Sequence, residues 1–116
     1  MTPAAFHAAA IALPGATRSV QWGDGQVYKV GGKMSAVLGG AVGGDGFSFK
    51  ASDVAFEVLT QTGRARPAPY LARAQWLLIE DLAGQDGDEV VGWLVQAHAL
   101  VAAKLTRRAR AELGLG

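Results

Sequence analysis

Ser19-Val20-Gln21-Trp22-Gly23-Asp24-Gly25-Gln26-Val27-Tyr28-Lys29-Val30-Gly31-Gly32-Lys33-Met34-Ser35-Ala36-Val37-Leu38 is the stretch whose reading decides the fold. Its residues are rich in β-branched and aromatic types and are broken twice by glycine. Ser19–Trp22 and Gln26–Val30 read as strands joined by Gly23-Asp24-Gly25, because Gly and Asp accept the left-handed backbone of a tight hairpin turn. Gly31-Gly32 makes a second turn, and Lys33–Leu38 a third strand. The glycine-rich run Gly39–Gly46 is a further reversal, followed by Phe47-Ser48-Phe49-Lys50, which puts both phenylalanines on one face and Ser48 and Lys50 on the other. The pattern is an antiparallel meander.

Helical signals flank it. Thr2–Leu13 carries a capping threonine, a proline suited to the first turn and an alanine-rich body, and Pro14-Gly15 stops it. Ser52 or Asp53 caps a second helix running to about Thr62, with Gly63 just past its end. The prolines of Arg64-Ala65-Arg66-Pro67-Ala68-Pro69-Tyr70 force an extended link. Leu71–Gln75 has room for one helical turn. Trp76-Leu77-Leu78-Ile79-Glu80, apolar almost throughout, reads as a central strand. Asp86 and Glu89 have capping-box spacing, with Asp88 as the other candidate cap, and one long helix is expected from there to about Arg110. The order is α-β-β-β-β-α-β-α, with one or two strands in the late segment. This is an α+β fold, an antiparallel sheet backed by helices.

The chain has 116 residues, 50% hydrophobic and 18% charged, with a mean hydropathy of +0.18. That is enough for one core, so one domain over residues 1–116 is expected and wholesale disorder is excluded. There is no cysteine, which removes disulfides, thiolate metal sites and cysteine nucleophiles. The apolar start is interrupted by His7 and closed by Pro14-Gly15, unlike an export signal or a membrane span, so a cytoplasmic protein with no membrane partner is expected. Eleven basic residues against ten acidic give a net charge of +1, a weak overall field. His7 and His98 lack any metal-ligand spacing, and Gly39–Gly46 lacks the lysine and hydroxyl of a phosphate loop, so neither a metal nor a cofactor is expected.

Leu13-Pro14-Gly15-Ala16-Thr17, Trp22-Gly23, Tyr28-Lys29-Val30-Gly31-Gly32-Lys33-Met34, Arg66-Pro67-Ala68-Pro69-Tyr70-Leu71, Trp76 and Val101-Ala102-Ala103-Lys104-Leu105 with Arg107–Leu113 stand in an order that resembles the MmcQ/YjbR family over about residues 4 to 113. The resemblance implies an α-β(3)-α-β(2)-α domain related to secretion-chaperone and frataxin-like folds. It also implies a noncatalytic DNA-binding role through a "double wing". The chain departs from the family's His-Leu-Asn-Lys-x-His-Trp run: Tyr70-Leu71-Ala72-Arg73-Ala74-Gln75-Trp76 keeps only the basic residue and the tryptophan. Arg18-Ser19 stands where the family often has an acidic pair.

Two basic groups follow as nucleic-acid candidates. Lys104, Arg107, Arg108 and Arg110 crowd the last helix, and Arg64, Arg66 and Arg73 surround the proline link; on a common face they would hold phosphates. Cations also simply suit a helix C-terminus. The hairpins add Lys29 and Lys33, so the expected backbone contacts are Lys29, Lys33, Arg66, Arg73, Lys104, Arg107 and Arg108. Tyr28 is a candidate for stacking on a base, or for cross-strand packing on Trp22. Trp22, Tyr28, Tyr70 and Trp76 define an alternative: a pocket in a protein- or small-ligand-binding module. No nucleophile–base pair supports an enzyme. A monomer is expected.

Overall fold

A computed structural model describes residues 1–21, 25–39, 45–69 and 74–115. In chain order the elements are α1 (Pro3–Ile11), β1 (Ala16–Gln21), β2 (Gly25–Val30), β3 (Lys33–Leu38), β4 (Phe47–Lys50), α2 (Asp53–Gln61), β5 (Arg66–Pro67), β6 (Trp76–Ile79), α3 (Gly87–Ala102) and α4 (Arg107–Glu112). The strands form one sheet of order β1-β2-β3-β4-β6-β5, antiparallel at every pairing. The α+β architecture is the expected one. Four strands precede α2 and two follow it, so of the one or two strands expected in the late segment two form, the additional one being β5 within the proline link.

The sheet's first face carries the helices. Tyr28, Ala36, Phe49 and Leu77 stand in one cross-strand row. With Phe6 and Ala10 of α1, Leu59 of α2, and Val90, Leu94 and Ala97 of α3 they form the main core. Phe6 meets Tyr28 and Phe47 at ring distances of 5.8 and 5.3 Å, and Trp93 lies nearly parallel to Phe49 at 5.5 Å. The second face holds a smaller cluster of Val27, Val37, Ala68, Trp76 and Leu78.

Each of the four helices begins with a side-chain cap. Thr2, Ser52, Asp86 and Thr106 accept from the backbone N–H groups of Ala5, Ala55, Glu89 and Ala109, satisfying donors that have no partner within the helix. The α2 end follows its glycine: Gly63 N–H reaches Thr60 O and Arg64 N–H reaches Leu59 O, the paired bonds of a Schellman turn.

Four expectations are corrected. The long C-terminal helix breaks after Ala102, because Thr106 caps a separate α4 and the intervening Leu105 packs onto the Gly31 turn. Arg107 and Arg108 therefore open a helix rather than close one. The capping box is half formed: Asp86 caps Glu89 N–H, but the Glu89 carboxylate turns to Arg64. β6 lies one strand in from the edge rather than at the centre, covered by the two-residue β5, whose Pro67 suits an edge because it has no N–H to donate.

The β2–β3 ladder contains a bulge that periodicity does not show. Tyr28 pairs with Ala36 but Lys29 pairs with Met34, leaving Ser35 as the extra residue, its hydroxyl donating to Tyr28 O at 3.3 Å. An extra residue reverses the facing of what precedes it. Met34 is thereby delivered to the second-face cluster rather than the helix side.

Candidate anion-binding site

Three of the arginines spend their charge on acids of the same molecule. Arg64 grips Glu89 with two nitrogens, at 2.7 and 3.0 Å, and its guanidinium lies 5.3 Å from the Trp93 ring centre, so it fastens the end of α2 to the start of α3. The hydrogen bonds hold the Glu89 carboxyl below its usual pKa and raise that of Arg64. Arg66 pairs with Glu80 at 2.6 Å, and Arg108 with Glu112 at 3.3 Å one helical turn away. In the group around the proline link, Arg64 and Arg66 are thus each paired with an acid. Arg73 lies outside the described residues, as do Trp22 and Tyr70.

The lysines behave differently. Lys33 at the start of β3, Lys50 at the end of β4 and Lys104 just beyond α3 line one cavity of about 160 Å³. Its remaining walls are Met34, Ala74, Trp76, Leu100 and Val101, and among the described residues no carboxylate lines it. The topology explains the meeting. The first residues of β3 and β6 and the last of β4 lie at the same end of an antiparallel sheet, since Lys50 pairs with Trp76 and Lys33 opens the strand next to β4. The C-terminal end of α3 arrives over that end.

Lys33 and Lys104 are exposed, whereas Lys50 is half-buried and donates a hydrogen bond to the Ala74 carbonyl. Burial lowers the Lys50 pKa, the Lys104 charge lowers it further, and Asp53 partly opposes both. The negative end of α3 offsets about half a charge. A cationic recess remains, with Trp76 and Val101, 5% and 7% exposed, among its apolar walls.

The cavity thus unites Lys33 and Lys104 from the backbone-contact candidates with Trp76 from the pocket candidates. Lys50 was missed. In the sequence it is only the polar partner of Phe49 in an alternating strand. Lys29 faces Met34 across the β2–β3 ladder beside the cavity without lining it, and Arg107 starts α4 three residues after Lys104.

Tyr28 is not a surface ring. It is 1% exposed, stands opposite Arg18 and Ala36, and places its hydroxyl 2.8 Å from His7 Nδ1. Burial raises its pKa. It is a core residue, which removes it as a base-stacking group and as a pocket wall. His98 donates its Nε2–H to the Pro14 carbonyl at 2.6 Å, locking α3 to the α1–β1 turn. Among the described residues no cluster of three or more potential ligands suits a metal ion, and no helix is long and apolar enough to cross a membrane.

Comparisons with known proteins agree with this architecture. The YjbR family model matches residues 11–100. The chain is similar in structure to the crystal structure of Deinococcus radiodurans protein DR2400, which carries a DUF419 family-model domain. The TM-score is 0.77 with 22% identity, over 95% of this chain and 86% of that one. A search of curated proteins gave no match.

Proposed function

The chain belongs to the YjbR family, and from that premise we propose that it is a noncatalytic DNA-binding protein that holds the phosphate backbone at the lysine-rich end of its sheet. The observation that carries the reading is the convergence of Lys33, Lys50 and Lys104 on a recess that, among the described residues, has no carboxylate in its lining. Lys29 and Arg107 extend the cationic surface to either side. Among the described residues, none of Lys29, Lys33, Lys104 and Arg107 makes a salt bridge, in contrast to Arg64, Arg66 and Arg108. Ammonium groups on flexible stems contact phosphate as point charges and read no base edges, so the reading implies little sequence preference.

Fluorescence anisotropy with a labelled duplex tests it. Binding should weaken between about 50 and 200 mM salt with a log–log slope near −3, one unit for each of roughly three phosphate contacts. The double substitution Lys33→Met with Lys104→Met should reduce that slope by about two. No binding at low salt, or a slope indifferent to both lysines, overturns the proposal.

A further inference from the structure

Resting on that reading of the lysine cavity, we infer that its preferred occupant is a terminal phosphate monoester rather than an internal phosphodiester. The shape of the recess is the first argument. The exposed Lys33 and Lys104 stand where a passing backbone can touch them, whereas Lys50 is half-buried among cavity walls that include the largely buried Trp76 and Val101. An internal phosphodiester continues into two chains and must lie across the opening, closer to the exposed Lys33 and Lys104 than to Lys50. An end group has one substituent and can enter until it meets all three ammonium groups.

Charge is the second argument. A phosphodiester carries a single negative charge, and a monoester about −1.5 to −2 at pH 7. Three cations, reduced by about half a charge at the α3 C-terminus and by the neighbouring Asp53, match the monoester. The volume is the third. At about 160 Å³ the cavity is well below the roughly 300–1,000 Å³ that enclose a drug-sized ligand, so it takes a headgroup and leaves the rest of the molecule outside. The shared chemistry is the monoester dianion, carried either at the end of a nucleic-acid strand or on a free small molecule.

Calorimetric titration at constant ionic strength distinguishes the sources. The probes are inorganic phosphate, a 5′-phosphorylated oligonucleotide and the same oligonucleotide without its phosphate. The phosphorylated strand is expected to bind about tenfold more tightly than its unphosphorylated twin and to be displaced by inorganic phosphate. The preference should fade below about pH 6, where the monoester gains a proton. In Lys50→Met, and independently in Lys33→Met, the two strands should bind alike.

Equal affinities in the wild type, or a preference that survives both substitutions, overturn the inference while leaving backbone binding intact. If inorganic phosphate binds in a Lys50-dependent manner but neither oligonucleotide does, the backbone reading falls and the monoester site stands, with a free phosphorylated molecule as its ligand. If no probe binds, both fall.

Discussion

Lys50 and Lys104 line one cavity, where the Lys104 charge adds to burial in lowering the proton affinity of Lys50. Like charges held together in a partly desolvated recess cost folding energy, a pattern that recurs where a site is kept for binding rather than for stability. Lys50→Met should therefore unfold no earlier than the wild type at pH 7, although it loses the hydrogen bond to Ala74. The sign in pH follows from the lowered pKa. Between the folded value and the ordinary 10.5 the unfolded chain binds more protons, so this group makes the wild type more stable as pH rises through that window. Thermal melts of both proteins across that range check it: the wild-type increment should be missing from the variant.

Arg66→Gln should leave both stability and DNA affinity close to wild type. The Arg66–Glu80 pair is largely exposed on both sides, at 56% and 66%, so its loss costs about 0–1 kcal/mol. A drop in duplex affinity as large as that of Lys104→Met would show that Arg66 leaves Glu80 for the ligand.

Gly46→Ala should be severely destabilising. A Cβ there would lie 2.3 Å from the Ile79 carbonyl oxygen and 2.8 Å from the Glu80 Cα, both backbone atoms, so the end of β6 must move. The expected cost is about 3 kcal/mol, at the upper end of ordinary overpacking. Denaturant unfolding measures it, and a loss below 1 kcal/mol would mean that the chain ends of β4 and β6 yield readily.

Gly31→Ala tests the anchoring of the chain's C-terminal part. The backbone at Gly31 is left-handed, with φ of +58°, and a Cβ would meet both Leu105 methyls at 2.7 Å. The methyls are free to turn aside, so backbone strain sets the cost at about 1–2 kcal/mol. Amide exchange should quicken first in α4, which follows Leu105.

Alkaline unfolding should carry the signature of Tyr28. Its raised pKa means that the folded state keeps the phenolic proton while the unfolded state loses it near 10, so the stability it contributes is intact below pH 10 and is lost as pH rises through the folded value. Tyr28→Phe should flatten that loss, with about 1 kcal/mol of stability removed at neutral pH through the missing bond to His7.

Local chemistry determined much of this protein before any tertiary contact was considered. The glycine turns, the alternation in Phe47–Lys50 and the capping residues Thr2, Ser52 and Asp86 act through neighbours within a few positions, so the α+β order, the β3 and β4 boundaries and the starts of the first three helices were legible in the sequence. The family resemblance was legible too. Tertiary structure alone decided what depends on partners distant in the chain. A bulge at Ser35 turned Met34 to the second face, Leu105 against Gly31 and the Thr106 cap divided the last helix, and Phe6 and His7 drew Tyr28 into the core. The distribution of charge was decided in the same way. A lysine and an arginine look equally cationic in a sequence, but whether a charge is available depends on an acid within about 4 Å. Only folding brought Glu89 to Arg64 and Glu80 to Arg66, and gathered Lys33, Lys50 and Lys104 where no acid of the described residues lines the wall.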